Sequence, residues 1–260
     1  MTSARRAATL GVRRAARFAT WVRAWRAGRV PYDDVAVEVT FGEEHLVADL
    51  PGTWSEVALA DALPALSKLP PDAIRLVLPA PGDPRGLPGP GPLAGAAIVA
   101  GEAVVAGAYG WVPEVRTHVS GSGDEFSTVL WRVYEVPTPA RPVFLPDTAE
   151  AEAELSTALA TATATLARLD VAAWRPELAG ALQSLRRPDG AGDLPPGYDP
   201  RARRLYARAV VLDRMLALAA DTSPGGAVNG YEATRREEAL RPLATACRHA
   251  LMAACNAVLT

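Results

Sequence analysis

The spacing of the hydrophobic residues changes once along this chain, and that change constrains the fold more than any other feature. Between about residues 30 and 136, apolar and polar residues alternate in runs such as VAVEVTF and FSTVLWRVYEV, a pattern typical of strands. After a proline-rich tract, PTPARPVFLP, leucines recur at helical spacing in alanine-rich segments. The sequence therefore predicts an α+β protein in which a mainly antiparallel β-sheet unit with one packed helix is followed by an α-helical bundle.

The same pattern divides the chain into three segments. Residues 1–29 carry eight arginines and no acidic residue, and their apolar side chains fall on one side of a helical wheel. We expect this segment to be a basic amphipathic helix, beginning near Ser3. Residues 30–145 are predicted to form the sheet domain, and residues 146–260 a four-helix C-terminal unit.

Within the sheet domain, the alternation predicts a hairpin over residues 35–50 and a strand at AIRLVLP. TWSE has the form of a capping box, which predicts a helix opening at Thr53. The apolar stretch at residues 91–112 is interpreted as a hairpin with Glu102 at its turn. A further hairpin is predicted around the glycine-serine turn SGSGDE.

In the C-terminal unit, four helices are predicted from leucine spacing and from start signals. DTAE is a capping box for the first, Pro176 and Pro200 stand at the starts of the second and third, and Pro242 is expected to kink the last. Cys247 and Cys255 are eight residues apart on that last helix, too far for a disulfide between them.

Composition and charge bear on location and partners. The stretch at residues 91–112 would place Glu102 near a bilayer centre, which argues against a membrane span. The net charge is −2, so the chain as a whole is not charged for binding nucleic acid. The apolar run behind the N-terminal arginines is too short for a signal peptide, and we therefore expect a cytoplasmic protein.

No motif for metal or cofactor chemistry emerges. The three histidines stand in distant segments, and Cys247 and His249, two residues apart on a helix, point in different directions. HVSGSGD places its serines in a hairpin turn, where serine and glycine satisfy turn geometry. We therefore expect no metal and no cofactor, and no catalytic residue is assigned.

Two groups of residues are candidates for binding. Charged side chains of the proline-glycine loop and of two consecutive helices form a candidate site for an anionic ligand. They are Arg85, Asp213, Arg214, Arg235, Arg236 and Glu237. Basic and aromatic residues of the first helix are candidates for contact with a partner or with phosphate, although a helix docked on its own domain would bury the same aromatic residues. They are Arg13, Arg17, Trp21 and Trp25.

These observations favour a non-catalytic cytoplasmic binding or adaptor protein that associates with a protein partner or with itself. One alternative is an enzyme or small-molecule binder with its site in a cleft between the sheet and helical units, bounded by the loops at residues 81–92 and 221–230. A second alternative is nucleic-acid binding through the basic first helix.

Overall fold

The computed structural model describes residues 13–121, 123, 125–136, 143, 145–168, 193–221 and 230–260. These residues form two compact units. The sheet unit contains the described residues between 13 and 145 together with residues 194–199 and 258–260, and the helical unit contains the described residues of 146–193 and 200–257. The predicted α+β fold, with a sheet region followed by a helical region, is confirmed.

Six strands form one sheet in the order β2-β1-β6-β5-β4-β3. All neighbouring strands are antiparallel except β1 and β6, which run parallel. The strands are β1 (Glu44–Ala48), β2 (Val57–Ala58), β3 (Ile74–Val77), β4 (Ala103–Ala106), β5 (Tyr109–Val119) and β6 (Glu125–Glu135). Four helices belong to the same unit: α1 (Arg14–Arg26), α2 (Tyr32–Thr40), α3 (Leu59–Ala62) and α4 (Pro92–Ala100).

Helices α1 and α4 cover opposite faces of the sheet. Phe18 of α1 is fully buried, with its ring centroid 4.8 Å from that of Trp131 and 5.4 Å from that of Trp111. On the other face, Leu93 of α4 packs so closely over Gly110 that a Cβ atom there would lie 2.4 Å from the leucine methyl groups. Because neighbouring residues of a strand point to opposite faces, Gly110 and Trp111 place one helix on each side of β5.

The prediction of a hairpin over residues 35–50 was wrong, because VAVEVTF lies mostly in helix α2. Asp33 and Asp34 stand in the first turn, where carboxylates interact favourably with the helix dipole. Only Val35 and Val39 are buried, and these two are four residues apart, so the run satisfies helical spacing as well as alternation. Phe41, with φ of +48°, ends the helix.

The interpretation of residues 91–112 as one hairpin with Glu102 at its turn was also wrong. Their first part is helix α4, which begins with Pro92 at its first position and is ended by Gly101 at φ +72°. Glu102 follows the helix, and the hairpin is the later one between β4 and β5, which turns at Gly107. Proline at the start and glycine at the end outweighed the β-branched residues inside the run.

The helix predicted to open at the TWSE capping box begins later, at Leu59. The Thr53 hydroxyl donates a hydrogen bond to the carbonyl of Leu50, at 2.8 Å, and so stabilises a turn instead of a helix start. Near Pro64 the helix tightens into a 3₁₀ turn at Leu63–Leu66, since proline cannot donate the next helical hydrogen bond. The strand predicted at AIRLVLP and the hairpin of β5 with β6 are present.

Glu102, which is distant in sequence from helix α1, caps the N-terminus of that helix. Its Oε2 accepts a hydrogen bond from the backbone N–H of Ala15, at 2.9 Å. The helix needs this acceptor because Arg13, at its own N-cap position, provides none. Arg13 in turn donates to the carbonyl of Gly101, at 3.2 Å, so the end of α4 and the start of α1 are held together.

We predict that Glu102→Gln leaves the protein at least as stable as wild type at neutral pH. Burial raises the pKa of Glu102, against the opposing effects of Arg13 and of the N–H of Ala15. A carboxyl with a raised pKa holds its proton more tightly when folded, so wild-type stability falls as the pH rises above 4.5, its ordinary pKa. Glutamine keeps an acceptor for Ala15 without this dependence. Urea denaturation of both proteins at pH 4.5 and pH 7 tests this prediction. If the free energy of unfolding changed equally with pH in wild type and in Glu102→Gln, the prediction would be contradicted.

The described part of the helical unit consists of α5 (Thr148–Arg168), α6 (Pro200–Asp221) and α7 (Gly230–Cys255). Asp147 caps α5, accepting the N–H of Ala149 at 2.6 Å, and Pro200 starts α6, both as predicted. Pro242 lies inside α7. The helix predicted from Pro176 falls outside the described residues.

Candidate binding surface

The four candidate residues of the first helix lie on or beside α1, which is docked within the sheet unit. Arg17 is 7% exposed; its guanidinium lies 3.8 Å above the centre of the Phe41 ring and donates to the carbonyl of Glu38. Arg13 bonds Gly101, as described above. Trp21 and Trp25 are half-buried. The guanidinium groups of Arg13 and Arg17 are therefore engaged in contacts within the sheet unit.

The candidates for an anionic ligand are spread over both units. Arg85 is half-buried in the proline-glycine loop of the sheet unit. Asp213 and Arg214 are half-buried on α6, and Arg236 lies on α7. Two exposed α7 residues pair along their own helix: Arg235 lies 3.9 Å from Glu238, and Glu237 lies 3.8 Å from Arg241. Of the loop at residues 221–230, predicted to bound a cleft, residues 222–229 lie outside the described residues.

A cavity of about 590 Å³ opens in the sheet unit between residues 88–94 and the end of β6. Asp49 and Glu135 supply carboxylates at its wall, and Tyr134 supplies a hydroxyl. Burial raises the pKa of Tyr134, so this hydroxyl stays protonated near neutral pH. Among the described lining residues there is no histidine, cysteine or serine.

A buried polar cluster joins α1 to the sheet around His45. The indole N–H of Trp131 donates to Nδ1 of His45, at 3.2 Å, so this ring carries its proton on Nε2. Nε2 lies 3.4 Å from Oε2 of Glu43, whose carboxylate also accepts two bonds from Arg14, at 2.7 and 2.9 Å. Both ring nitrogens of His45 are thus hydrogen-bonded within the sheet unit.

The other two histidines lie apart from this cluster. His118 contacts the hydroxyl of Thr128, at 2.9 Å, and His249 contacts the carboxylate of Glu154, at 3.2 Å. Within the part of the chain that the structure describes, no group of three or more His, Cys, Asp or Glu side chains is placed to hold a metal ion.

The outer half of β5 is an open edge of the sheet. β4 pairs only with residues 109–111 of β5, so residues 112–119 have no strand beside them among the described residues. The other two edges differ: β2 has only two residues, and three of the four residues of β3 are buried. Short or covered edges are the usual protection against unwanted strand pairing, and residues 115–119 of β5 have neither protection among the described residues.

The hydrogen-bonding groups of this edge alternate between β6 and the outside. The N–H of Val136 donates to the carbonyl of Ala108, which places the even-numbered residues of β5 in hydrogen-bonded pairs with β6. Val115, Thr117 and Val119 therefore direct their N–H and C=O groups outward. All three side chains are exposed. Pro113, which has no N–H to leave unpaired, also directs its backbone away from β6, and its side chain is buried.

Trp54 lies on the loop before β2, a strand that β1 and β6 separate from β5. Its side chain is fully exposed, although tryptophan is the side chain with the largest surface to bury. Two residues further on, Glu56 forms an ion pair with Arg116 of β5, at 3.2 Å. We call Val115, Thr117 and Val119 the edge surface. Proline inside the strand pattern of β5, at Pro113, is the sequence signal that could have identified this edge strand.

No described helix is both long enough and apolar enough to cross a membrane. Fold and surface together define a two-unit α+β protein, with an open-edged sheet in one unit and a helical array in the other. The chain belongs to the family of Rv1486c-like proteins: the model of that family's N-terminal domain matches residues 15–147, and the model of its C-terminal domain matches residues 149–252. No curated protein and no solved structure matches the chain.

Proposed function

We propose that this chain is a non-catalytic binding protein that recognises an extended segment of a protein by adding it to β5 as a further strand. The observation that carries this proposal is the outward direction of the backbone groups of Val115, Thr117 and Val119 on an exposed edge. An added strand pairs these groups with its own main chain, and alternate side chains supply specificity.

The side chains of the edge surface suit this role. Val115 and Val119 are 50% and 67% exposed and lie on one face of β5, since they are an even number of residues apart. β-Branched residues pair favourably across antiparallel strands.

The alternative of nucleic-acid binding by the first helix has less support from the geometry. Arg17 is buried against Phe41, and Arg13 is bonded to Gly101, so neither presents an open guanidinium fork to a phosphate. The cavity near Glu135 carries carboxylates, which repel an anionic ligand.

A peptide titration followed by NMR tests the proposal. The probe is a synthetic peptide of alternating valine and threonine flanked by lysines, and the control peptide carries proline at its centre. We expect the first peptide to slow amide exchange at Val115, Thr117 and Val119. The inward amides of Glu114, Arg116 and His118, already paired with β6, should change little.

The matched variants are Thr117→Pro and Thr117→Val. Proline removes an outward N–H and no bond to β6, whereas valine keeps the N–H, so only Thr117→Pro should lose the peptide. Circular dichroism shows whether both variants fold. Equal protection by the two peptides, or undiminished binding to Thr117→Pro, would contradict strand addition.

A further inference from the structure

We infer that the strand added to β5 is β5 of a second copy of this chain, antiparallel and centred on Thr117. This inference rests on the proposed function and names its partner. The pairing would join two six-stranded sheets into one sheet about a two-fold axis, the commonest symmetry of protein dimers.

The sequence of the edge is complementary to itself in this register. With Thr117 opposite Thr117 of the second copy, Val115 stands opposite Val119 and Val119 opposite Val115. All of these side chains lie on the same face of the sheet. Threonine pairs and pairs of β-branched residues are both favourable cross-strand contacts. The three residue pairs would exchange about six hydrogen bonds, because all of them use outward-directed groups.

Pro113 selects this register over its neighbour. A pairing centred on Val115 would place Pro113 opposite Thr117 and leave a carbonyl of Thr117 without a donor, because proline has no N–H. A pairing centred on Thr117 places Pro113 opposite Gly121, beyond the end of β5 at Val119. The register centred on Thr117 therefore uses the whole proline-free part of the edge.

The charged residues of β5 are compatible with such a pairing. Arg116 would stand opposite His118 of the second copy, on the face away from the valines. Arg116 already pairs with Glu56, and His118 stacks on Phe126 with ring centroids 5.0 Å apart. Glu114 is bonded to Arg132, at 2.9 Å. The charge of Arg116 is therefore compensated by Glu56 at the position where Arg116 would face His118 of the second copy.

Disulfide cross-linking of the full chain tests both the partner and the register. The native Cys247 and Cys255 are buried, so the wild-type chain is the control for adventitious linkage. In the proposed register the two Thr117 Cα atoms are about 5.5 Å apart, within the range that a disulfide spans. The two Val115 Cα atoms are offset by four residues, about 13 Å along the strand.

We expect Thr117→Cys to form a reducible dimer of twice the 27.3 kDa chain mass, and Val115→Cys to stay monomeric under the same mild oxidation. Wild-type protein should elute as a dimer on size exclusion with light scattering, and Thr117→Pro as a monomer. Cross-linking of Val115→Cys without Thr117→Cys overturns the register. A monomeric wild type with neither variant cross-linked overturns self-association.

The peptide titration separates this failure from failure of the proposed function. If the chain is monomeric but the valine-threonine peptide still protects the outward amides, the edge accepts a strand from another protein. That result would contradict only the inference that the added strand comes from a second copy of this chain. If the peptide also fails, both proposals fall.

Discussion

Replacing Phe18 by alanine is expected to lower the free energy of unfolding of the sheet unit by about 4 kcal/mol, as large-to-small changes in aromatic cores do. Phe18 is fully buried between Trp111 and Trp131, and through these contacts α1 covers the centre of β5 and β6. Its loss removes apolar burial and two ring contacts and leaves a cavity that the flanking tryptophans fill only in part.

Phe126 provides the matched control, since it is the same residue on the same sheet with 51% of its side chain exposed. Phe126→Ala should cost less than about 1 kcal/mol, because little surface is buried there. Five of the six tryptophans lie in the sheet unit, so fluorescence during urea denaturation reports its unfolding. Equal losses in the two variants would contradict the placement of α1 on the sheet.

Glu43→Gln is expected to remove about 2 kcal/mol of stability at pH 7 and almost none near pH 2. Burial alone would raise the pKa of Glu43, but hydrogen bonds from His45 and Arg14 outweigh it and lower the pKa to about 2. A carboxylate with a lowered pKa stabilises the folded state above its unfolded pKa, and that contribution is lost as the pH falls toward the folded pKa. The relevant window therefore runs from about pH 4.5 down to about pH 2. The loss stays modest because solvent screens this partly exposed carboxylate.

The adjacent Glu44, which is exposed, supplies the control. Glu44→Gln should leave the dependence of stability on pH close to that of wild type, whereas Glu43→Gln should flatten it between pH 4.5 and pH 2. Denaturation midpoints at pH 7, 4.5 and 3 measure the difference. An unchanged slope in Glu43→Gln would show that the cluster around His45 does not stabilise the fold through this charge.

The sequence was most informative where local signals agreed with one another. The hairpin of β5 and β6 has long alternation around a glycine-serine turn, and the starts of α5 and α6 carry an aspartate cap and a proline; all of these were predicted correctly. The predictions for residues 35–41 and 91–100 were wrong because short apolar runs fit both periods. There the deciding signals were the acids in the first turn of α2 and the glycine that ends α4.

The edge surface was less accessible from the sequence, because it depends on contacts between distant residues. The parallel pairing of β1 with β6 and the short reach of β4 along β5 leave the outer edge open, and no local pattern specifies either. Only Pro113 hinted at an edge. Likewise, the role of Glu102 as the cap of α1 joins residues 87 apart in sequence.

Residue-resolved hydrogen exchange of the wild-type chain at low and high protein concentration tests the central claim most directly. We predict that the amides of Val115, Thr117 and Val119 exchange rapidly in dilute solution and become protected as concentration rises, while those of Glu114, Arg116 and His118 are protected throughout. Outward amides that exchange equally fast at both concentrations would contradict pairing of β5 with a second copy. Outward amides protected equally at both would show that the chain covers this edge itself.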